Sequence, residues 1–334
     1  MKLQVGAKVF SKRFLLINVW GSLLATVLLL CLAIAQQPQS SKQDFGELEK
    51  VALAELAETN TPGAAVGVVS GDRLVFAKGF GVSKQRVGPD TVIGFVAETV
   101  VGATAGCVPP APGYFERIRE ICDRYGVLLI LDEVMCGLGR TGARWACAQE
   151  GVAPDLLVVA KGLGAGYQPI SATLVADKIF AAIRDARVTF MHGHSYQAHA
   201  VACAAALAVQ RVIREQNLIA NSQTQGESLK RLLNERFGDY PDVGDIRGRG
   251  LCIALELVKD RETKEPFDPA MNLWLTVMLK GMEFGLMCYP GGGTAGGEKG
   301  DHVLLAPPFN INSAHVEEIV EKLSLTFNSV FNHV

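Results

Sequence analysis

The chain has no excess of charge of either sign. Its 334 residues include 32 Lys and Arg against 34 Asp and Glu, which gives a formal net charge of −2. The sequence therefore predicts no basic surface, and we expect no nucleic-acid partner. Cysteine is sparse and never occurs as a Cys-x-x-Cys pair, since the cysteines stand singly at positions 31, 107, 122, 136, 147, 203, 252 and 288. This spacing indicates reduced core thiols rather than a disulfide framework.

Several site signatures are also missing. No Ser-x-x-Lys motif occurs, so the nucleophile of one class of serine hydrolases is absent. The histidines at 192, 194 and 199 have no carboxylate beside them, and we expect no metal site. No arginine follows Arg261, so the C-terminal part offers no late arginine to bind a substrate carboxylate.

The longest apolar run lies near the N-terminus. Basic residues precede an uncharged stretch from Phe14 to Ala35, which ends in the small-x-small form of a signal peptidase site. The stretch is also about long enough to span a bilayer. Residues 1–35 are therefore predicted to be a signal peptide or a membrane anchor, with the cleaved signal peptide favoured. We accordingly expect a protein that is exported, or attached to a membrane through residues 14–35.

Beyond residue 63 the pattern predicts a hairpin and then an α/β fold. Ala64–Val69 and Leu74–Ala77, separated by a Ser-Gly-Asp turn, predict a β-hairpin. Strands and helices then alternate, which favours a mostly parallel sheet with right-handed crossovers. The predicted elements of this part are the strands Ile93–Ala97, Val127–Leu131 and Leu156–Ala160 and the helices Gly113–Tyr125 and 198–218.

The remainder of the chain predicts a smaller α/β domain. Its apolar segments alternate again between strand-like and helix-like spacing. They are Gly248–Leu257, Met271–Gly285, His302–Ala306 and Ala314–Phe327. Between them Gly291–Gly300 is so rich in glycine that a loop is expected there.

Two polar residues stand where apolar strands are predicted to end. Asp132 follows Val127–Leu131, and Lys161 follows Leu156–Ala160. The carboxyl ends of parallel strands meet at one edge of an open α/β sheet, where such sheets bind ligands. A lysine there can form a Schiff base with pyridoxal phosphate (PLP), and a carboxylate can keep the pyridine nitrogen protonated. The same spacing also fits a magnesium site or a helix N-cap at Asp132, and an ordinary surface lysine at position 161.

A series of short motifs in one order narrows these alternatives. They are Leu131-Asp132-Glu133-Val134, 137–142 (Gly-Leu-Gly-Arg-Thr-Gly), 153–155 (Ala-Pro-Asp), 160–169 (Ala-Lys-Gly-Leu-Gly-Ala-Gly-Tyr-Gln-Pro), 192–196 (His-Gly-His-Ser-Tyr), 247–250 (Arg-Gly-Arg-Gly) and 289–293 (Tyr-Pro-Gly-Gly-Gly). With these motifs, residues 94–334 closely resemble the class III, or omega-type, PLP-dependent aminotransferases. The resemblance implies an α/β protein of PLP-dependent transferase fold type I, with a partial large domain and a small C-terminal domain.

The resemblance also implies residue roles and partners. Lys161 would be the Schiff-base lysine, Asp132 the partner of the pyridine nitrogen, and Val134 a contact of the ring face. Glu98 corresponds to a glutamate near the substrate. Ser195 stands where the family has threonine, which binds the phosphate of the neighbouring subunit's cofactor, so a homodimer is expected. The implied reaction moves an amino group between an amine or amino acid and a keto acid.

The segment before Gly94 does not carry this resemblance. Residues 45–92 resemble instead the opening of a beta-lactamase-like serine hydrolase, through Thr61–Val69 and Phe76–Val82. The expected layout is a signal peptide or anchor over 1–35, a hydrolase-like remnant over 36–93, a partial PLP-binding domain over 94–212 and a small domain over 213–334.

Two other functions remain as alternatives. Because the family's phosphate loop precedes the position of Gly94, the chain is also interpreted as an impaired aminotransferase fragment that needs a partner. A secreted serine hydrolase is disfavoured, since the Ser-x-x-Lys nucleophile is absent.

Overall fold

The computed structural model of the protein describes residues 64–70, 73–80, 92–187 and 190–331. They contain two β-sheets, which we call the first sheet and the second sheet. The predicted signal peptide or anchor over 1–35 lies outside the described residues, as does most of the predicted 36–93 remnant. Within the described part, no helix combines the length and apolar character needed to cross a membrane. The predicted division at residue 212 stays a prediction, and one sheet lies on either side of it in the sequence.

The first sheet has six strands in the order β2-β1-β3-β4-β5-β6. The strands are β1 (Ala64–Ser70), β2 (Arg73–Phe80), β3 (Gly94–Glu98), β4 (Leu128–Asp132), β5 (Leu156–Val159) and β6 (Ala172–Val175). The predicted hairpin is confirmed as β1 and β2. The central strands β3, β4 and β5 are parallel, as expected, whereas the flanking pairs are antiparallel. Only one 3₁₀ turn lies between β5 and β6, so no crossover helix turns the chain back to a parallel direction.

Helix α1 (Tyr114–Tyr125) covers the first sheet. The helical spacing predicted one apolar face, and its members Phe115, Ile118, Ile121 and Cys122 are all buried. Of these, Phe115, Ile118 and Cys122 pack with the fully buried Leu129 and Leu131 of β4. Gly126 ends the helix in the left-handed conformation at φ 67°, where its N–H donates to the Cys122 carbonyl. Such a terminus is most easily adopted by glycine.

The remaining helices follow in chain order. They are α2 (Ala146–Gln149), α3 (Asp177–Asp185), α4 (Ala200–Glu215), α5 (Leu218–Phe237), α6 (Leu273–Glu283) and α7 (Ser313–Phe331). The prediction of one helix over 198–218 is wrong at its end and missed α5 entirely. Asn217 has a left-handed φ of 52° and separates α4 from α5. Helix α5 was not predicted because a polar stretch begins at Asn221. The helix nevertheless buries Leu229, Leu233 and Phe237.

The second sheet has four antiparallel strands in the order β7-β8-β10-β9. The strands are β7 (Val243–Arg249), β8 (Cys252–Leu257), β9 (Tyr289–Ala295) and β10 (Lys299–Leu305). Strands β7, β8 and β10 share one core with α5, α6 and α7, in which the Phe237 and Phe327 rings pack edge to face at 5.2 Å. The expected loop at Gly291–Gly300 is wrong, because most of this stretch forms β9 and the start of β10. Glycine is required at 291 because a Cβ there would come within 2.8 Å of the His302 ring.

Three arginines connect the second sheet and its flanking loops to the first-sheet region. Arg140 donates to the carbonyls of Leu251 and Pro307 and lies 4.5 Å over the Phe309 ring. Arg247 of β7 donates to the carbonyls of Ala105 and Gly106. Arg249 forms an ion pair with Glu150. All three side chains are therefore engaged by other groups of the chain.

Candidate active site

Three polar side chains meet at the carboxyl edge of the first sheet. Glu98 ends β3 and Asp132 ends β4, and their Cα atoms are register partners. Asp132 is in turn the register partner of Val158 in β5, and Lys161 follows two residues after that strand ends. The expectation that Asp132 and Lys161 share one sheet edge is confirmed. Glu98 joins them because β3 is the next parallel strand.

The two carboxylates of the Asp132-Glu133 pair have different surroundings. Glu133 is buried and accepts hydrogen bonds from the backbone N–H groups of Ala146 (2.8 Å) and Cys147 (2.6 Å) and from the Thr99 hydroxyl (3.1 Å). Glu133 therefore supplies, from outside the helix, acceptors for the first N–H groups of α2. Successive strand residues point to opposite sides, so Asp132 faces the other way.

Asp132 is half-buried and only partly used by the protein. Its Oδ1 accepts a hydrogen bond from the Val134 N–H at 2.8 Å. Among the described residues, this N–H is the one hydrogen-bond donor to the Asp132 side chain. The side chain is thus oriented by the backbone, while Oδ2 remains available to a ligand. Val134 is also half-buried and lies beside it in the sequence.

The charges of Asp132 and Lys161 both affect the pKa of Glu98. Burial raises the pKa of its carboxyl, and the charge of Asp132 adds to that rise. The hydrogen bond from the Gly102 N–H, at 3.0 Å, and the charge of Lys161 act in the opposite direction. The site therefore contains two neighbouring carboxyls and one amine. Because its pKa is raised, Glu98 is protonated more easily than an ordinary glutamate.

Lys161 lies in a tight turn that other parts of the chain support. It begins the 3₁₀ turn Lys161–Leu163 and is exposed. Gln210 of α4 donates to the carbonyls of Gly162 (3.0 Å) and Leu163 (3.3 Å). A Cβ at position 162 would lie 3.2 Å from the Leu138 side chain, so the turn also packs closely on the 137–142 loop. Sequence reasoning missed Gln210, since nothing near it marks it as a partner of Lys161's turn.

Ser195 belongs to a different part of the surface. It is exposed in the segment that precedes α4. Its neighbours His194 and Tyr196 line an open groove of about 810 Å³, together with Leu163 and Cys203. His199 begins α4 and accepts from the Ala202 N–H at 3.4 Å, so this histidine caps a helix.

Comparison with known proteins identifies the family. The sequence model of the family described as Aminotransferase class-III matches residues 27–327. An uncharacterized aminotransferase of Schizosaccharomyces pombe is 49% identical over 244 residues, which are 73% of this chain and 53% of that protein. A diaminobutyrate–2-oxoglutarate transaminase of Halomonas elongata is 36% identical over 246 residues, 73% of this chain and 51% of that protein. The chain spans about half the length of these curated relatives.

Solved structures agree with the sequence relatives. A transaminase from the marine bacterium Virgibacillus has a TM-score of 0.69 at 34% identity, covering 73% of this chain and 54% of that one. An amine transaminase from an uncultivated Pseudomonas species, solved in its PLP-bound form, has a TM-score of 0.67 at 36% identity, with 73% and 53% covered. The fold is therefore the α/β fold type I of PLP-dependent transaminases. The chain belongs to the class III aminotransferase family.

Proposed function

We propose that the protein is a PLP-dependent aminotransferase that moves an amino group between an amine or amino acid and a keto acid. The observation that carries this proposal is the meeting of Asp132 and Lys161 on adjacent parallel strand ends. A primary amine that binds the cofactor aldehyde and a carboxylate that pairs with its ring nitrogen are the two groups that PLP needs. The donor set of this edge therefore fits PLP.

The cofactor residues have distinct tasks in this proposal. When bound, PLP supplies an electron-withdrawing ring that stabilises negative charge on a substrate carbon. Lys161 would hold the cofactor through its amine and, when that amine is free, would move a proton at the substrate carbon. Asp132 would pair with the ring nitrogen through Oδ2, since Oδ1 already accepts the Val134 N–H. By resemblance to the family, Val134 would contact the ring and Ser195 would bind the phosphate of a neighbouring subunit's cofactor.

The substrate side is proposed from Glu98 and from the relatives. Glu98 lies beside both cofactor residues and, having a raised pKa, can approach a substrate carboxylate with less repulsion than an ordinary glutamate. The Halomonas elongata relative is named for diaminobutyrate and 2-oxoglutarate, and a tomato relative for gamma-aminobutyrate. An amino donor and a keto-acid acceptor are the classes proposed here.

Assembly and location are proposed as well. A homodimer is supported by the exposed position of Ser195 and by exposed apolar side chains nearby, among them Met191, Tyr196 and Leu207. Export or membrane attachment rests on the composition of residues 14–35 alone. The four-part layout, with its hydrolase-like remnant over 36–93, likewise rests on the sequence.

A second candidate is an impaired aminotransferase that binds PLP but needs a partner chain for turnover. It is supported by the exposure of Lys161. The two candidates differ in turnover rather than in cofactor binding.

The test is the visible absorption of the protein with added PLP, followed by an amine donor. We expect a protein-bound band that the donor bleaches and that a keto acid restores. Lys161→Ala should lack the band, whereas the matched control Lys299→Ala, at another exposed lysine, should keep it. A band that the donor leaves unchanged favours the impaired candidate. Equal spectra for Lys161→Ala and wild type would overturn the proposal.

A further inference from the structure

Two cysteine thiols lie side by side in the interior, between the segment that follows Glu98 and the first residue of β8. The Sγ atoms of Cys107 and Cys252 lie 3.3 Å apart, although 145 residues separate them in the sequence. Both side chains are 0% exposed. Ala254, Leu304 and Met135 pack around them, so the walls of this contact are apolar. Within the described ranges, no cluster of three metal-binding side chains includes the pair.

The backbone carries both sulfurs on well-supported segments. Cys107 ends a tight turn in which its own N–H and that of Gly106 donate to the Gly102 carbonyl, at 3.1 and 2.9 Å. Arg247 of β7 donates to the Gly106 carbonyl at 2.8 Å and so attaches the turn to the second sheet. Cys252 is the first residue of β8. The approach of the thiols therefore follows from the packing of the turn on the sheet.

The geometry is close to that of a bonded pair. A disulfide requires a sulfur–sulfur distance of about 2.0 Å, so the two sulfurs must approach by roughly 1.3 Å. Small rotations of two side-chain torsions can supply such a movement. Closing the sulfur–sulfur bond therefore does not require the sheet or the turn to unfold.

The two sulfurs also differ in reactivity. The two thiols share one hydrogen bond, in which either sulfur can be the donor. With Cys107 as the donor, this bond outweighs the effect of burial and lowers the pKa of the Cys252 thiol, and the Arg140 guanidinium adds to the lowering. The same hydrogen bond, together with burial, raises the pKa of Cys107. Cys252 is thus the better nucleophile, and Cys107 is placed to react in a second step.

We propose that Cys107 and Cys252 form an intramolecular disulfide when the protein meets a hydroperoxide. The Cys252 thiolate attacks one peroxide oxygen, the O–O bond breaks, and the leaving oxygen is protonated, which leaves a sulfenic acid. The Cys107 sulfur then attacks the Cys252 sulfur, the S–O bond breaks, and water leaves with the Cys107 proton. Two thiols lose two electrons, and hydrogen peroxide is reduced to two waters.

The bond would link the segment after Glu98 to the second sheet. Gly102, in the same turn as Cys107, donates to the Glu98 carboxylate at 3.0 Å. The link would therefore limit how far the Glu98 segment and β8 can separate. The inference is independent of the proposed aminotransferase activity, since it rests on the thiol contact alone.

The experiment is peptide mapping after peroxide treatment. Protein exposed to hydrogen peroxide is alkylated under denaturing conditions and digested without reductant. We expect a linked pair of peptides containing Cys107 and Cys252, lighter by two hydrogens than the separate peptides and lost on reduction. Cys203, which is partly exposed, serves as an internal indicator that the oxidant acted.

Several outcomes would overturn the proposal. One is recovery of both cysteines as alkylated thiols at a dose that oxidises Cys203. Others are separate sulfinic acids at the two positions, or a bond from Cys252 to Cys136. Cys107→Ser should abolish the linked pair, whereas Cys122→Ala, at a buried cysteine of the first-sheet core, should retain it. The wild-type map decides the question even if Cys107→Ser fails to fold.

Discussion

Replacing each of the adjacent carboxylates Asp132 and Glu133 by its amide is predicted to have different effects. Glu133→Gln should reduce stability, whereas Asp132→Asn should affect PLP binding. Glu133→Gln should destabilise the fold, because Glu133 accepts from the N–H groups of Ala146 and Cys147 through different oxygens and also from Thr99. Whichever of the two Glu133 oxygens is replaced by the NH₂ group of glutamine, the N–H of either Ala146 or Cys147 then faces another donor. Asp132→Asn keeps an acceptor for the Val134 N–H and should leave the fold nearly unchanged.

The expected magnitudes follow from these hydrogen bonds. A buried donor left unpaired costs about 1–3 kcal/mol, and replacing a charged acceptor by a neutral one weakens the bonds that remain. Glu133→Gln should therefore lower the free energy of unfolding by about 2–4 kcal/mol. Asp132 is half-buried and retains its bond, so Asp132→Asn should stay within about 1 kcal/mol of wild type.

Urea denaturation, followed by circular dichroism, measures the difference. The control is Glu262→Gln at an exposed glutamate, which should unfold at the wild-type urea concentration. The visible PLP band supplies the second readout, since only Asp132→Asn should change it in a folded sample. The reasoning is refuted if Glu133→Gln is as stable as the control, or if Asp132→Asn is the less stable of the pair.

Three further predictions follow. Gln210→Leu should weaken PLP binding about 5- to 150-fold, since it removes two hydrogen bonds of about 0.5–1.5 kcal/mol each from the Lys161 turn. Gln216→Leu, in a neighbouring position of the chain, should leave PLP binding unchanged, and spectroscopic titration compares the two variants. Burial raises the pKa of Asp155, but the hydrogen bonds from Lys178, the Leu129 N–H and Arg119 outweigh burial, so that the pKa is lowered overall. Asp155→Asn should therefore be less stable than wild type at neutral pH. This gap should shrink as pH falls through the ordinary carboxyl range and below it, in denaturation at several pH values. Gly126→Ala should lower the free energy of unfolding by about 1 kcal/mol in the same urea assay, because φ is 67° there.

Those site residues that directly follow an apolar strand could be predicted from the sequence. Asp132 and Lys161 follow apolar strands, so their position at one sheet edge could be inferred from strand direction alone. Glu98 and Val134 were assigned by resemblance to the family, and their roles stay predictions. Gln210 could not be found, because its contact with the Lys161 turn depends on how α4 packs on residues 48 positions away.

Other features depended on tertiary packing in the same way. The glycine-rich stretch at 291–300 looked like a loop, but its glycines instead make room for the His302 and Trp274 rings against β9. Cys107 and Cys252 looked unrelated, because only the packing of a turn on β8 brings their sulfurs together. Helix α5 was missed because its buried positions are spaced among polar residues that carry no apolar run.

The most direct test of the central claim is to locate the cofactor on the chain. Protein incubated with PLP is reduced with borohydride, which makes the link between lysine and cofactor permanent, and is then mapped by peptide mass spectrometry. The account predicts the cofactor's mass on Lys161 at far higher occupancy than on Lys178 or Lys299. Modification spread evenly over the exposed lysines, with no preference for Lys161, would contradict it.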